Sequence, residues 1–379
     1  MMIIPMVLLI GNYALDQQHS MQGFGELMLG GLRAAGVEAE LVRPGPVLGK
    51  IFGARGFGKW LAYIDKYILF PFVLRPRLRR ADIVHICDHS NALYIPHRRS
   101  RPFVVTCHDL LAVRGGMGEQ TDCPASFTGR FLQRWILRGL RRADAVVCVS
   151  QATAIDAERL VQQANPRTKI DIVPLALNFD YRKVPTDEAR SALRSLANFD
   201  VNLPFALHVG SNERRKNRAG VLRIFARVKD KWNGRFVFAG ALDQELTDLA
   251  KSLGLHGRII EIKNADGATL RALYNCAVAL VFPSRFEGFG WPIIEAQACG
   301  CPVICSDAGP MPEAAGEAGL YHPVDDEEGF AADLLRLTNS QERAVWSERS
   351  LRNAAKFSRD TMIARYLQIY RQLCPDLAL

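Results

Sequence analysis

The feature that most constrains this chain is a unit that recurs along it: a short, unbroken apolar run, a break at proline or glycine, then a stretch with helical spacing. Val278-Ala279-Leu280-Val281-Phe282-Pro283-Ser284 is one such run. Because it lacks polar alternation, it reads as a strand buried on both faces, the kind found in parallel sheets. Gly288 and Gly290 lie in the loop that follows. Pro292 suits a first helical position, where its missing N–H would be unpaired anyway. Ile293-Ile294-Glu295-Ala296-Gln297-Ala298 is good helix material, Gly300 is placed to end the helix, and Pro302 to Cys305 starts the next strand.

The amino-terminal half repeats this alternation. Strands are predicted at 6–10, 39–42, 83–87, 103–107 and 145–150, with helices over 21–35 and 127–141, which makes a parallel, doubly wound sheet. From Ile172 to Pro204 the pattern weakens, with prolines at 174, 185 and 204 and one modest helix near 187–196. The linker is placed there. Strands at 205–210, 235–239 and 259–262 then alternate with helices at 219–229, 242–253 and 268–277. The predicted fold class is α/β, with two Rossmann-like doubly wound domains facing a central cleft. The domains are taken as 1–180 and 181–357, and ligands of such sheets bind at the carboxyl ends of the strands.

Length and composition agree with this. At 379 residues and 49% hydrophobic content the chain can fill two cores. Ile3 to Ile10 is too short to cross a bilayer and lacks the basic start of a signal peptide, so it reads as a first strand. The nine cysteines are an odd number and several sit in apolar runs, which fits reduced core residues of a cytoplasmic protein. His85-Ile86-Cys87-Asp88-His89 holds ligand-type residues, but strand alternation splits them between two faces, and Cys299, Cys301 and Cys305 lack paired spacing, so no metal is assigned. Gly53 to Trp60 spells a phosphate-binding P-loop except for its last letter, where tryptophan cannot ligate magnesium. No G-x-G-x-x-G occurs, which counts against a dinucleotide oxidoreductase.

The chemistry concentrates in two loops. In the first, Gly288-Phe289-Gly290 lets the backbone approach a ligand closely, and the helix start behind it offers N–H groups to an anion. A carboxylate beside a phosphate would repel it, so Glu287 and Glu295 suit hydroxyl partners instead, Glu295 a ribose and Glu287 a group beyond the phosphate. A phosphate flanked by two polyols is a nucleotide sugar. The second loop runs from Gly210 through Arg214, Arg215 and Lys216 and can neutralise charge on a departing diphosphate.

The wording Glu287-Gly-Phe-Gly-Trp-Pro-Ile-Ile-Glu295-Ala-Gln-Ala-Cys-Gly-Cys-Pro-Val-Ile closely resembles the signature of the family 4 retaining glycosyltransferases, which have the GT-B fold. The resemblance implies that Glu295 binds the donor ribose, that Glu287 lies near the donor sugar, and that Arg215 and Lys216, in an element resembling Gly-x-x-x-x-Arg-Lys-Asn, bind the diphosphate. His108, in a stretch matching Thr-x-His-Asp, is implied to face the donor sugar. Ser20-Met21-Gln22-Gly23-Phe24-Gly25 resembles the family's first glycine loop, which implies donor contact at Gly23, although the family more commonly has paired glycines. The segment 358–379 resembles the family's last helix, which crosses back onto the amino-terminal domain.

The function so implied is transfer of a hexose from a GDP- or UDP-sugar to a hydroxyl of a sugar, glycan or lipid-linked acceptor, with retention and without a metal or further cofactor. No Asp-x-Asp occurs in the chain to hold a metal. The rival readings are a GT-B sugar-nucleotide epimerase and a catalytically silent nucleotide-binding regulatory subunit. Nothing suggests nucleic acid as a partner. The net charge of +9 draws on arginines at 75, 77, 79 and 80, at 98, 99 and 101, and at 130, 134, 138 and 141. The last four form one helical stripe, with Phe131, Trp135 and Ile136 expected to face elsewhere. Together with the apolar, aromatic stretch 60–72, this reads either as a buried helix beside a solvated arginine face or as a peripheral contact with the inner face of an anionic membrane.

Overall fold

The computed structural model describes residues 6–16, 18–49, 57–196 and 199–375. Residues 3–5 of the predicted first strand and residues 53–56 of the P-loop look-alike lie outside the described residues. The chain divides into two compact units, residues 1–178 with 359–379, and residues 179–358.

The first unit is built on β1 (Met6–Ile10), β2 (Glu38–Val42), β3 (Ile83–Ile86), β4 (Phe103–Cys107), β5 (Ala145–Cys148) and β6 (Lys169–Ile172). They form one six-stranded sheet in the order β2-β1-β3-β4-β5-β6, every pair parallel. Leu8, Val84, Val105 and Val146 are fully buried in it, and Phe70, Leu74, Ile136, Leu137 and Leu140 pack onto one face from the helices. The helix Arg359–Leu373 belongs to this unit, with Tyr366 and Tyr370 fully buried. Gly31 admits its side chain Ile363, because a β-carbon at Gly31 would overlap it. The strand β6 is absent from the sequence reading. Its Lys-Ile-Asp-Ile alternates like a half-covered strand, and it sits at the sheet edge.

The second unit carries β7 (Phe205–Val209), β8 (Arg235–Ala239), β9 (Ile259–Ile262), β10 (Leu280–Phe282), β11 (Val303–Ser306) and β12 (Gly319–His322). Their order is β12-β11-β10-β7-β8-β9, again parallel throughout. Phe225 stacks on Phe236 at 4.2 Å between ring centroids, at the centre of its core. In each sheet the direction of winding reverses once, between β1 and β3 and between β7 and β10. Strand-end loops diverge at such a reversal and leave room for a ligand.

Candidate functional site

The reversal in the second unit brings together the two loops singled out in the sequence. The chain leaving β7 forms a short 3-10 turn, Arg214–Lys216, and the chain leaving β10 runs through Glu287 into the helix Trp291–Ala298. The Arg285 amide donates to the Arg215 carbonyl at 2.7 Å and ties the loops to each other. Glu287 is buried, and Lys216 Nζ donates to its Oε1 at 2.7 Å while Arg215 Nη1 donates to its Oε2 at 2.6 Å. Burial alone would raise the pKa of Glu287. The charges of Lys216 and Arg215 outweigh it and hold the carboxyl below the ordinary range. Lys216 also lies over the Phe282 ring, 5.4 Å from its centroid. Arg215 Nε also contacts Glu213 Oε2 at 2.7 Å, so the two cations and two carboxylates form one network whose geometry is already set.

Gly290 precedes the helix at φ 103°, a conformation that residues with a β-carbon rarely adopt, and so the backbone there stays bare. Glu295 is the fifth residue of the helix and is buried, accepting a hydrogen bond at Oε2 from the Tyr274 hydroxyl at 2.9 Å. Burial pushes its pKa up to about 7, against the opposing pull of the Tyr274 bond and of Lys216. Glu287 and Glu295 therefore differ: one is locked as an anion by two cations, the other is poised between its charged and neutral forms.

A carboxyl whose pKa is raised by the fold contributes stability that is complete below its unfolded value and is lost as pH rises through the folded value. With a shift from 4.5 to about 7, stability is expected to fall by about 2–3 kcal/mol between pH 5 and 8 through Glu295 alone. Glu295→Gln should remove that part of the profile, which urea unfolding of both proteins at the two pH values will read. Equal slopes would mean that Glu295 is ionised throughout.

In the first unit, the reversal between β1 and β3 gathers polar side chains. Asn12 Nδ2 donates to Asp88 Oδ2 at 2.5 Å, and the Ser90 amide and hydroxyl donate to the same carboxylate at 3.1 and 2.8 Å. Burial would raise Asp88, but His89, whose Nδ1 lies 3.2 Å from Oδ1, and the hydrogen bond from Asn12 hold it well below the usual carboxylate range. His108, at the end of β4, donates from Nε2 to the Cys87 carbonyl at 3.0 Å, and its ring meets Phe24 edge-on at 4.9 Å. Burial lowers its pKa, so the imidazole is neutral with its proton on Nε2.

The structure corrects one sequence placement. Gly23 is not in a loop: residues 20–25 lie within the helix His19–Ala34, and a β-carbon at Gly23 would have room. Phe289 is buried with its ring 5.7 Å from Phe357, so its side chain belongs to the core, and the expectation for 288–290 rests on the backbone alone. Gly210 follows β7, and a β-carbon there would meet Lys216 Cδ and His208 Nε2 at 3.4 Å, an ordinary contact.

Three residues near the site escaped the sequence reading. Tyr274 carries no local signal, being one apolar position on a helix. His208 donates from Nδ1 to the Val281 carbonyl at 2.9 Å, and burial lowers its pKa to about 3, leaving a neutral, buried Nε2 without a hydrogen-bond partner among the described residues. Arg218 is buried and donates to the carbonyls of Ala241 and Gly240 at 2.7 and 2.9 Å, which pins the loop after β8. Among the described residues no group of three or more His, Cys, Asp or Glu side chains converges as a metal site would require.

Comparison with known proteins gives matches to both halves. The family model "Glycosyl transferases group 1" matches residues 190–355, and "Glycosyltransferase Family 4" matches 27–181. The O-antigen chain mannosyltransferase B of Escherichia coli is 28% identical over 295 residues, covering 75% of this chain and 74% of that protein. The solved sucrose-phosphate synthase of Thermosynechococcus elongatus superposes with a TM-score of 0.76 at 20% identity, over 97% of this chain and 99% of the other. HepE of Anabaena, solved with UDP and glucose, gives a TM-score of 0.70 at 17% identity, with 97% and 99% covered.

Proposed function

The chain belongs to the family 4-type glycosyltransferases of GT-B fold, nucleotide-sugar dependent enzymes, and on that premise we propose that it moves a hexose from a GDP- or UDP-sugar to an acceptor hydroxyl, with retention and without a metal ion. The observation that carries this reading is the buried Lys216–Glu287–Arg215 cluster at the β7/β10 reversal, with the ionisable Glu295 on the helix that follows. The cluster takes the diphosphate, and Glu295 accepts the ribose hydroxyls. In the reaction, the bond from the anomeric carbon to the diphosphate oxygen breaks and the bond to the acceptor oxygen forms on the same face. The acceptor's proton passes to the departing diphosphate, whose new charge Lys216 and Arg215 stabilise. His108, neutral and with its tautomer fixed, is assigned to the donor sugar. The similarity to a mannosyltransferase and to a protein solved with UDP and glucose supports a hexose on a GDP or UDP carrier. The acceptor is a sugar, a glycan or a lipid-linked sugar at the inner face of a membrane.

A thermal-shift panel of UDP, GDP, ADP and their sugars tests this. The donor, at about 100 times its Kd, is expected to stabilise the protein by roughly 2.7 kcal/mol, equally with and without excess EDTA. Transfer should likewise survive EDTA. Glu295→Ala should weaken nucleotide binding by roughly 1–3 kcal/mol through lost hydroxyl contacts. A response to no nucleotide, or one that appears only with added manganese, overturns the reading.

A further inference from the structure

We infer that one face of the first unit is a docking surface for an anionic lipid bilayer. The helix Phe127–Leu140 buries Ile136, Leu137 and Leu140 against the sheet, as an amphipathic helix should. Its outward side is not polar in the ordinary way. Phe127, Phe131 and Trp135, spaced four residues apart, are 87%, 71% and 41% exposed, whereas aromatic rings of this size are usually buried. Arg130, Arg134 and Arg138 are exposed on the same helix. The expectation that Phe131 and Trp135 face away from the arginines is therefore corrected: only Ile136 turns inward, and the two rings share the outer surface with them.

A second helical segment extends the face. The Tyr67 ring lies 5.8 Å from that of Trp135, which places the segment 65–80 beside the first helix. There Ile68, Phe72 and Val73 are 55%, 64% and 47% exposed, with Arg75 5.5 Å from the Phe72 ring centroid and Arg79 and Arg80 also exposed. Neither 66–80 nor 127–140 contains an aspartate or glutamate. In the same unit Arg114 and Arg159 pair with Glu119, and Arg77, between the exposed arginines of 75–80, pairs with Glu40. Among the described residues, Arg75, Arg79, Arg130, Arg134 and Arg138 have no ion-pair partner.

Exposed rings interleaved with unpaired guanidinium groups, and no carboxylate, match the two layers of a bilayer interface. The rings reach headgroup and upper acyl depth while the arginines hold lipid phosphates. A second copy of the chain would bring like charges together, and a nucleic acid would leave Ile68, Phe72 and Val73 without an apolar partner. The inference deepens the proposed acceptor class, but its measurement needs neither donor nor acceptor, so it stands or falls apart from the transferase reading.

The full chain is cosedimented with vesicles of phosphatidylcholine, alone or mixed with phosphatidylglycerol. Adsorption is expected on the mixed vesicles at low salt and should weaken at high salt. The variant R130Q/R134Q/R138Q should partition about a hundredfold less, since each arginine near an anionic surface contributes roughly a factor of five. The variant F127S/F131S should also bind more weakly. Brominated acyl chains should quench tryptophan fluorescence, and Trp135→Phe should reduce that quenching while adsorption persists. Unchanged far-ultraviolet dichroism and thermal unfolding in the variants exclude misfolding as the cause. Absence of adsorption to the mixed vesicles at low salt, adsorption indifferent to both multiple variants, or self-association in place of adsorption each overturns the inference.

Discussion

Lys216→Ala is expected to lower kcat by about a hundred- to a thousandfold while changing the donor KM far less, the size of effect seen when one preorganised stabiliser of a developing anion is removed. The ammonium is buried, fixed by Glu287 and backed by the Phe282 ring. Its charge therefore acts at reduced screening and needs no reorganisation as the diphosphate departs. Arg215→Ala should follow the same pattern with a smaller loss, because the Arg215 side chain is half-buried and shares its charge with Glu213 through a 2.7 Å contact. Steady-state kinetics with the donor identified by the panel will decide. An unchanged kcat in both variants would reduce the Arg214–Lys216 turn to a structural element.

Glu287→Ala should destabilise the second unit by about 3–5 kcal/mol, because it strips the shared counter-ion from a buried lysine and its arginine neighbour. For a unit of this size that corresponds to a fall in Tm of roughly 10 °C. The pH dependence has a definite sign. Glu287 has a depressed pKa in the fold, so its stabilising contribution is present above its unfolded value of 4.5 and is lost as pH falls through the lower folded value. The difference between wild type and Glu287→Gln should accordingly shrink below pH 4.5, the reverse of the Glu295 comparison. Thermal unfolding at pH 7 and near pH 4 reads both effects. If Glu287→Ala unfolds with wild-type stability at pH 7, the two cations do not depend on it, and the preorganised cluster is wrong.

These two glutamates show how far local pattern carries. Their spacing, the glycines between them and the proline at the helix start are all written in adjacent residues, and so is the alternation of buried strands and helices. For that reason the strands β4, β8 and β9 coincide with the predicted ranges, and most other boundaries move by a residue or two. Where the alternation is weak the reading stops. The edge strands β6 and β12 were not predicted, nor were the helices Glu327–Leu337 and Ser340–Ala354. Edge position weakens the signal without erasing it: the edge strands β2 and β9 are predicted, whereas β6 (Lys-Ile-Asp-Ile) and β12 (Gly-Leu-Tyr-His) each bring only two apolar aliphatic or aromatic residues in four.

What the sequence determined by itself is the periodicity: two doubly wound parallel sheets, a glycine at the helix start, and two carboxylates placed on either side of it. What only the tertiary structure decided is who partners whom. Glu287 meets Arg215 and Lys216 across 72 and 71 residues of chain because β10 pairs with β7. Tyr274 reaches Glu295 from a neighbouring helix. The separation of a locked carboxylate from an ionisable one follows from those contacts, because pKa is set by burial and by nearby charge in space rather than by neighbours along the chain. The outward turn of Phe127, Phe131 and Trp135 is of the same kind: helical spacing set Phe131, Trp135 and Ile136 together off the arginine stripe, and only the packing of Ile136, Leu137 and Leu140 against the sheet fixed which of them were left to the solvent.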